Sequence, residues 1–209
     1  MKFFKTVADR ILPVLFWIAV MLTFDTPSVA VLTVIAALIH EGGHITAAFI
    51  IGCGDISLPQ AALTGLRIRP SRLLSYKEEA VIALSGPLVN LLAFLALLTF
   101  YRASAYLFTF GVINLLTAIS NLLPIRGYDG YRVVNGILLA HTDVESAGRI
   151  TGAISSLLCG ALVFISLFLM LKIGEGYWIF AIFFSIMLRD ITKTQKSIKR
   201  ENTRDFESF

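Results

Sequence analysis

The stretch "IAALIHEGGHITAAFIIG", residues 35–52, places two histidines and a glutamate inside a long apolar run. A helix needs about 20 predominantly apolar residues to cross a bilayer, and the apolar run 29–53 around this stretch is long enough. Ionisable side chains are costly at that depth, and where they occur they usually serve a function. The stretch therefore predicts a membrane-spanning helix that carries a functional site.

The composition of the whole chain predicts a membrane protein. Of the 209 residues, 56% are hydrophobic and 15% are charged, whereas a soluble domain is about 45–50% apolar and about 25% charged. We predict an all-α polytopic membrane protein with about six transmembrane helices, of which the first and sixth are short for a complete span. The apolar runs lie at 11–24, 29–53, 80–100, 105–123, 150–171 and 177–188.

The placement of lysine and arginine predicts the orientation. With six spans and both termini inside, only Arg102 and Lys172 of the 18 basic residues fall outside. Because positive residues favour the cytoplasmic side, we expect a multi-pass protein with both termini cytoplasmic. The net charge of +4 then reflects topology and requires no nucleic-acid partner. We expect residues 1–188 to form the membrane core and 189–209 a polar cytoplasmic tail.

The pattern HExxH occurs at His40-Glu41-Gly42-Gly43-His44. Positions i and i+4 share one face of a helix, so both imidazoles can bind one zinc ion, and the adjacent glutamate can hold a water that zinc activates. The glutamate then passes a proton to the leaving amine. The alternative, a packed histidine pair, is disfavoured by the depth of the motif in the apolar run. Two glycines between the histidines leave room for another helix or for a substrate backbone.

A catalytic zinc usually has three protein ligands. The candidate for the third is Asp129 in "NLLPIRGYDG", residues 121–130. The proline of this segment ends the fourth span, and Gly127 and Gly130 allow tight turns that can fold the chain back at membrane depth. Two alternatives stay open: Asp129 caps the stretch that follows it, or His141 supplies the third ligand.

HExxH in one span, followed after a later span by N-x-x-P-x-x-x-x-D-G, resembles the site-2 protease family of intramembrane zinc metalloproteases. "SGPLVN" at 85–90 is similar to that family's Gly-Pro-x-x-Asn stretch, and the resemblance covers roughly residues 35–135. The compact chain and its Asn-Leu-Leu-Pro look most like the subgroup typified by the sporulation protease that processes a membrane-tethered pro-sigma factor. Family members often add a PDZ or CBS domain, and we expect neither here.

The resemblance implies a role for each matching residue. His40, His44 and Asp129 would bind one Zn²⁺, and Glu41 would be the catalytic base. Asn121 matches an active-site asparagine of the family, which would hydrogen-bond the substrate or the developing oxyanion. The alternative for Asn121 is an amide contact between helices.

Two other asparagines in predicted spans, Asn90 and Asn114, are interpreted as contacts between helices. Two departures from the family pattern lie close to the third ligand: Tyr128 stands where leucine is usual, and Arg126 adds charge. We expect both to influence substrate preference and to leave the chemistry intact.

The stretch "LTGLRIRP", residues 63–70, follows the second span and alternates apolar and basic residues as a strand does. An unwound substrate segment can pair with such an edge, as the resemblance implies. The alternative is a basic loop at an anionic lipid surface.

The resemblance implies an intramembrane zinc metalloendopeptidase that cleaves membrane-tethered precursor proteins in a bacterial-type cell membrane. Its partners would be a transmembrane or membrane-tethered substrate, the lipid bilayer and, where regulation exists, a regulatory membrane partner. The competing hypothesis is a non-proteolytic zinc-binding membrane protein, such as a transporter or assembly factor. The intact Glu41 argues against it, because transport needs metal ligands but no base.

Overall fold

The computed structural model describes residues 27–53, 73–100 and 102–173, together with Phe184 and Met187. Four helices in this part of the chain are long and apolar enough to cross a membrane, and they confirm the second to fifth predicted spans. The runs 11–24 and 177–188, the strand-like stretch 63–70 and the tail lie outside the described residues, apart from Phe184 and Met187. The helices are α1 (Pro27–Ile50), α2 (Tyr76–Leu98), α3 (Ala105–Leu122), α4 (Asp129–Leu139) and α5 (Val144–Ile173).

Local sequence signals set the ends of α1. Pro27 occupies the start of the helix, where its missing N–H leaves no hydrogen bond unmade. At the other end Gly52 adopts a positive φ of 73°, and the Cys53 N–H donates to the Ala48 carbonyl at 3.0 Å. This glycine-dependent turn is a common helix stop. It ends α1 inside an apolar run that has no polar boundary.

A capping box starts α2 before the apolar run 80–100 begins. The Ser75 hydroxyl accepts a hydrogen bond from the Glu78 N–H at 3.3 Å, and the Glu78 carboxylate accepts one from the Ser75 N–H at 2.8 Å. These reciprocal bonds satisfy backbone donors that a helix N-terminus otherwise leaves open. The first turn of α2 is therefore polar, and the apolar span follows it.

Small residues let the helices approach one another closely. The central helix, α2, contacts α1, α3 and α4, while α5 packs against α4. A Cβ on Gly43 of α1 would lie 2.7 Å from the Ser85 carbonyl oxygen of α2, and one on Gly136 of α4 would lie 2.9 Å from the Tyr76 carbonyl oxygen. Such contacts are typical of helix packing in membranes. Gly43 thus allows the close approach of another helix, one of the two roles proposed for the glycines of HExxH.

The distribution of side chains in the described residues also suits a membrane. Large apolar side chains point outward, including Phe49 at 77% exposure and Leu157 at 76%. Polar side chains such as Asn90, Asn114 and Thr151 are fully buried instead. An apolar surface of this extent is unfavourable in water and favourable in lipid. With the four long apolar helices, this identifies a membrane protein.

Candidate metal centre

The three predicted metal ligands lie together at the centre of the bundle. His40 and His44 share one face of α1, and Asp129 begins α4. The two Nε2 atoms are 3.2 Å apart, and Asp129 Oδ2 lies 2.9 Å from His40 Nε2 and 3.1 Å from His44 Nε2. The three residues are only 6%, 6% and 8% exposed. Two histidines on one face of α1 and an aspartate distant in the sequence therefore form one buried group that could hold a metal ion.

A turn between α3 and α4 brings Asp129 back to α1. Leu123, which precedes Pro124, is extended at ψ 130°, as residues before proline tend to be. Gly127 has a φ of 103°, a left-handed conformation that favours glycine. The Tyr128 N–H closes the turn on the Ile125 carbonyl at 3.0 Å. The prediction of a tight turn at Gly127 is thus confirmed.

The start of α4 differs from two expectations. Gly130 serves close packing, since a Cβ there would overlap the Leu122 carbonyl oxygen, and it does not adopt a positive φ. The N-cap of α4 is Tyr128 rather than Asp129. Asp129 lies in the first turn, where the helix dipole favours a negative charge. Its carboxylate points to the histidines and does not act as an N-cap.

The outer nitrogens of both imidazoles are held by hydrogen bonds. His44 Nδ1 lies 2.7 Å from the Ile82 carbonyl oxygen, which can only accept, so this nitrogen carries the proton. His40 Nδ1 lies 2.8 Å from Asn90 Oδ1, and the amide of Asn90 donates to the Ala36 carbonyl at 3.0 Å, which turns its oxygen toward His40. Each ring, when neutral, therefore presents an Nε2 lone pair to the same point.

This donor set fits a zinc ion. Two imidazole nitrogens and one carboxylate oxygen are a common ligand set for catalytic zinc, and ligand atoms of a tetrahedral zinc site lie about 3.3 Å apart. The three distances in the cluster, 2.9, 3.1 and 3.2 Å, are close to that value. Metal-binding histidines usually donate their other N–H to a carbonyl or carboxylate oxygen, as both do here. The cluster thus has the features of a metal centre in its ligands and in their supports.

The Asp129 carboxyl is held in its ionised form by its neighbours. Burial raises the pKa of the Asp129 carboxyl, but hydrogen bonds from His40 and His44 lower it by more, so that its pKa lies well below the usual range. The carboxylate is also 3.5 Å from Arg132 Nη1 through its other oxygen, Oδ1. Asp129 therefore stays ionised, as metal binding requires.

The predicted base, Glu41, is half-buried and lies close enough to His44 for electrostatic interaction. Its neighbour Gly42 borders open space: a Cβ there would meet no atom of the described residues within 4 Å. The two glycines of HExxH thus differ, because Gly43 packs against α2 whereas a side chain at Gly42 would meet no neighbouring element among the described residues.

In the described residues, neither of the other two candidates, Asn121 and His141, forms a hydrogen bond with the cluster. Asn121 is half-buried in the last turn of α3, where its amide donates to the Thr117 carbonyl at 3.0 Å. His141 is exposed after α4, and its Nδ1 contacts the Ile137 carbonyl oxygen at 2.9 Å. Within the described residues, the metal-binding group comprises His40, His44 and Asp129 and excludes His141.

Two residues of "SGPLVN" support the histidines in ways that the sequence did not reveal. A Cβ on Gly86 would lie 2.5 Å from His44 Nε2 and 3.0 Å from His40 Cε1, so only glycine leaves space for both rings. Asn90, interpreted as a contact between helices, is such a contact and also orients His40. The similarity of this segment to the Gly-Pro-x-x-Asn stretch was the available signal for both.

Comparison with known proteins supports the fold. No protein-family model matches the sequence, and no curated protein matches it. Among solved structures, the Site-2 Protease from Methanocaldococcus jannaschii matches with a TM-score of 0.62 and 20% sequence identity, over 87% of this chain and 86% of that chain. At this identity the likeness shows the fold, and it supports the family resemblance that the motifs carry. The chain therefore has the fold of a site-2 protease, with a buried group at its centre that could hold a metal ion.

Proposed function

We propose that this chain is an intramembrane zinc metalloendopeptidase that cleaves membrane-tethered precursor proteins. The observation that carries the proposal is the buried cluster of His40, His44 and Asp129 within a site-2 protease fold. When bound there, zinc supplies a Lewis acid that polarises the scissile carbonyl and lowers the pKa of a water to about 7.

In this proposal Glu41 carries the proton transfers. Its carboxylate accepts a proton from the attacking water and delivers it to the leaving amine, so that one water is consumed for each peptide bond broken. Two observations support this role: Glu41 follows His40 directly in the sequence, and it lies close enough to His44 for electrostatic interaction. Asn121 would hydrogen-bond the substrate or oxyanion, after exchanging its bond to Thr117 for one to the substrate.

The substrate side of the proposal follows from the physics of a membrane helix. A spanning helix satisfies its own backbone, so it must unwind locally before its carbonyls can be attacked. We expect helix-weakening residues near the cut, and pairing of the unwound segment with residues 63–70. The alternative for this segment, a basic loop at the lipid surface, stays open.

The orientation of the protein is proposed from its charges. The basic residues favour both termini on the cytoplasmic side of a bacterial-type membrane, with water reaching the metal from that side. Residues 1–188 would form the catalytic core and 189–209 the tail. Substrates would include membrane-tethered transcription factors or signalling proteins, and a sporulation role is an analogy with one subgroup. A membrane partner would supply any regulation.

The test is Glu41→Gln, with Glu79→Gln as the matched control. Glu79 is an exposed glutamate in the first turn of α2, far from the cluster in the sequence. We expect Glu41→Gln to keep its zinc and to accumulate uncleaved precursors, measured by comparing membrane proteomes of cells that express each variant. Glu79→Gln should process precursors like the wild type.

Unchanged processing by Glu41→Gln would reject the proposed base. If the wild type binds zinc but no precursor depends on Glu41, the competing function, a zinc-binding transporter or assembly factor, gains support.

A further inference from the structure

Buried side chains on three helices form one hydrogen-bonded chain that ends at a metal ligand. His40 Nδ1 on α1 donates to Asn90 Oδ1 on α2 at 2.8 Å, and Asn90 Nδ2 donates to Asn114 Oδ1 on α3 at 2.7 Å. Asn114 Nδ2 donates in turn to the Phe110 carbonyl at 2.8 Å. Both asparagines are 0% exposed, so water cannot replace any of these bonds.

The chain has a single direction because it ends on a backbone carbonyl. The Phe110 carbonyl can only accept, so the amide of Asn114 must point its nitrogen there and its oxygen toward Asn90. Asn90 must then use its two N–H groups on Asn114 Oδ1 and on the Ala36 carbonyl, which lies 3.0 Å away. Its oxygen is left for His40, and the proton of His40 is held on Nδ1.

The two histidines differ in this support. His44 donates to the carbonyl of Ile82, a backbone group whose polarity cannot be reversed. His40 donates to a side-chain amide, which could be flipped if nothing held it. In a flipped Asn90, the amide oxygen would face the Ala36 carbonyl and Asn114 Oδ1, which can only accept. The N–H groups of Asn90 would then point at His40. Only His40 therefore depends on side chains outside the ligand set for its tautomer.

We propose that Asn114 is a positioning residue of the metal centre. Acting through Asn90, it fixes the ring orientation and tautomer of His40, so that the Nε2 lone pair faces Asp129 and His44. The inference rests on the proposed metal site. It implies that a residue of α3, a helix that contributes none of the three ligands, influences the affinity of that site for zinc. Loss of such outer supports typically weakens metal binding by about 10- to 100-fold.

The experiment is a double-mutant cycle on zinc affinity. Asn114→Leu, Asn90→Leu and the double variant are purified in detergent, and the Kd for zinc is measured by competition with a chromophoric chelator. We expect Asn114→Leu to weaken binding about tenfold and Asn90→Leu to weaken it at least as much. The double variant should bind no more weakly than Asn90→Leu alone, because Asn114 acts through Asn90.

Two further variants separate positioning from general stability. In Asn114→Asp the buried carboxyl stays protonated, since burial disfavours its charged form. Its carbonyl can accept from Asn90 and its O–H can donate to Phe110, so zinc affinity should stay close to that of the wild type. Thr117→Val on the same helix is the control, because among the described residues its hydroxyl bonds only the Ile113 carbonyl of its own helix. Melting of the metal-free variants reports any loss of stability.

Each outcome decides the proposal. Wild-type zinc affinity in Asn114→Leu, or additive losses in the double variant, would overturn it, as would an equal loss in Thr117→Val. If the leucine variant does not fold, Asn114→Ser replaces it, since a serine hydroxyl is too short to reach Asn90, and the same criteria apply. Absence of zinc binding by the wild type would overturn the metal centre itself, so the two failures are distinguishable.

Discussion

The Nε2 atoms of His40 and His44 lie 3.2 Å apart and face a point that the Asp129 carboxylate also reaches. The two rings meet edge-on, with centroids 4.7 Å apart and planes at 90°. Two lone pairs and a carboxylate oxygen repel one another at this distance unless positive charge lies between them. The geometry is therefore that of a group that could hold a cation.

Asp129→Ala removes the ligand that α4 contributes. We expect purified protein to lose its bound zinc, because two imidazoles without a carboxylate leave a catalytic zinc site incomplete. Metal analysis of the purified variant measures this. The control is Asp143→Asn, which alters an exposed aspartate that accepts a hydrogen bond from the Ser146 N–H. Full zinc occupancy in Asp129→Ala would move the third ligand elsewhere.

Gly86→Ala should disrupt the centre without changing a ligand. The added Cβ would lie 2.5 Å from His44 Cε1 and Nε2, within a contact that no side chain tolerates. Either the ring or α2 must shift, and we expect zinc affinity to fall at least tenfold in a chelator competition assay. Gly42→Ala is the matched control in HExxH, because open space surrounds that position in the described residues. Equal zinc affinities of the two variants would contradict this reading of Gly86.

Asn121→Ala distinguishes the two interpretations of that asparagine. If Asn121 contacts the substrate, turnover should fall about 100-fold while zinc affinity and melting temperature stay near the wild-type values. If it only joins helices, the melting temperature should fall and turnover should follow the folded fraction. Single-turnover cleavage of a tethered substrate, combined with thermal unfolding, separates these results.

Arg132→Gln tests the support of the Asp129 carboxylate. The guanidinium lies 3.5 Å from Oδ1 and its side chain is 50% exposed, so solvent weakens the interaction. We expect zinc affinity to fall by less than about tenfold. Arg149→Gln, which breaks an exposed pair with Glu145 on α5, should leave zinc affinity unchanged. A loss as large as that of Asp129→Ala would show that the arginine is essential to the carboxylate.

The residues predictable from the sequence are those whose geometry is local. The helical repeat alone places His40 and His44 on one face, and an apolar run alone predicts a span. Asp129 needed more, namely the turn residues before it and the family resemblance. The early start of α2 was also readable, because Ser75 and Glu78 have the spacing of a capping box.

Apart from the family resemblance, the sequence could not predict the roles of Asn90 and Gly86 beside the histidines, for a physical reason. Beyond its polar first turn, α2 is predominantly apolar, and its amphipathic signal is too weak to say which face meets α1. Whether Asn90 points to a ligand or to another helix depends on that rotation. The same holds for Gly86, whose role appears only when both imidazoles are placed beside it.

The cluster joins parts of the chain that are synthesised far apart in time, since 89 residues separate His40 from Asp129. While the ribosome is still making α3, the emerging polypeptide holds two imidazoles and no carboxylate partner. A chain arrested before α4 should therefore bind no zinc. If the proposed protease activity is correct, it cannot begin before α4 has been made and its aspartate has reached the histidines of α1.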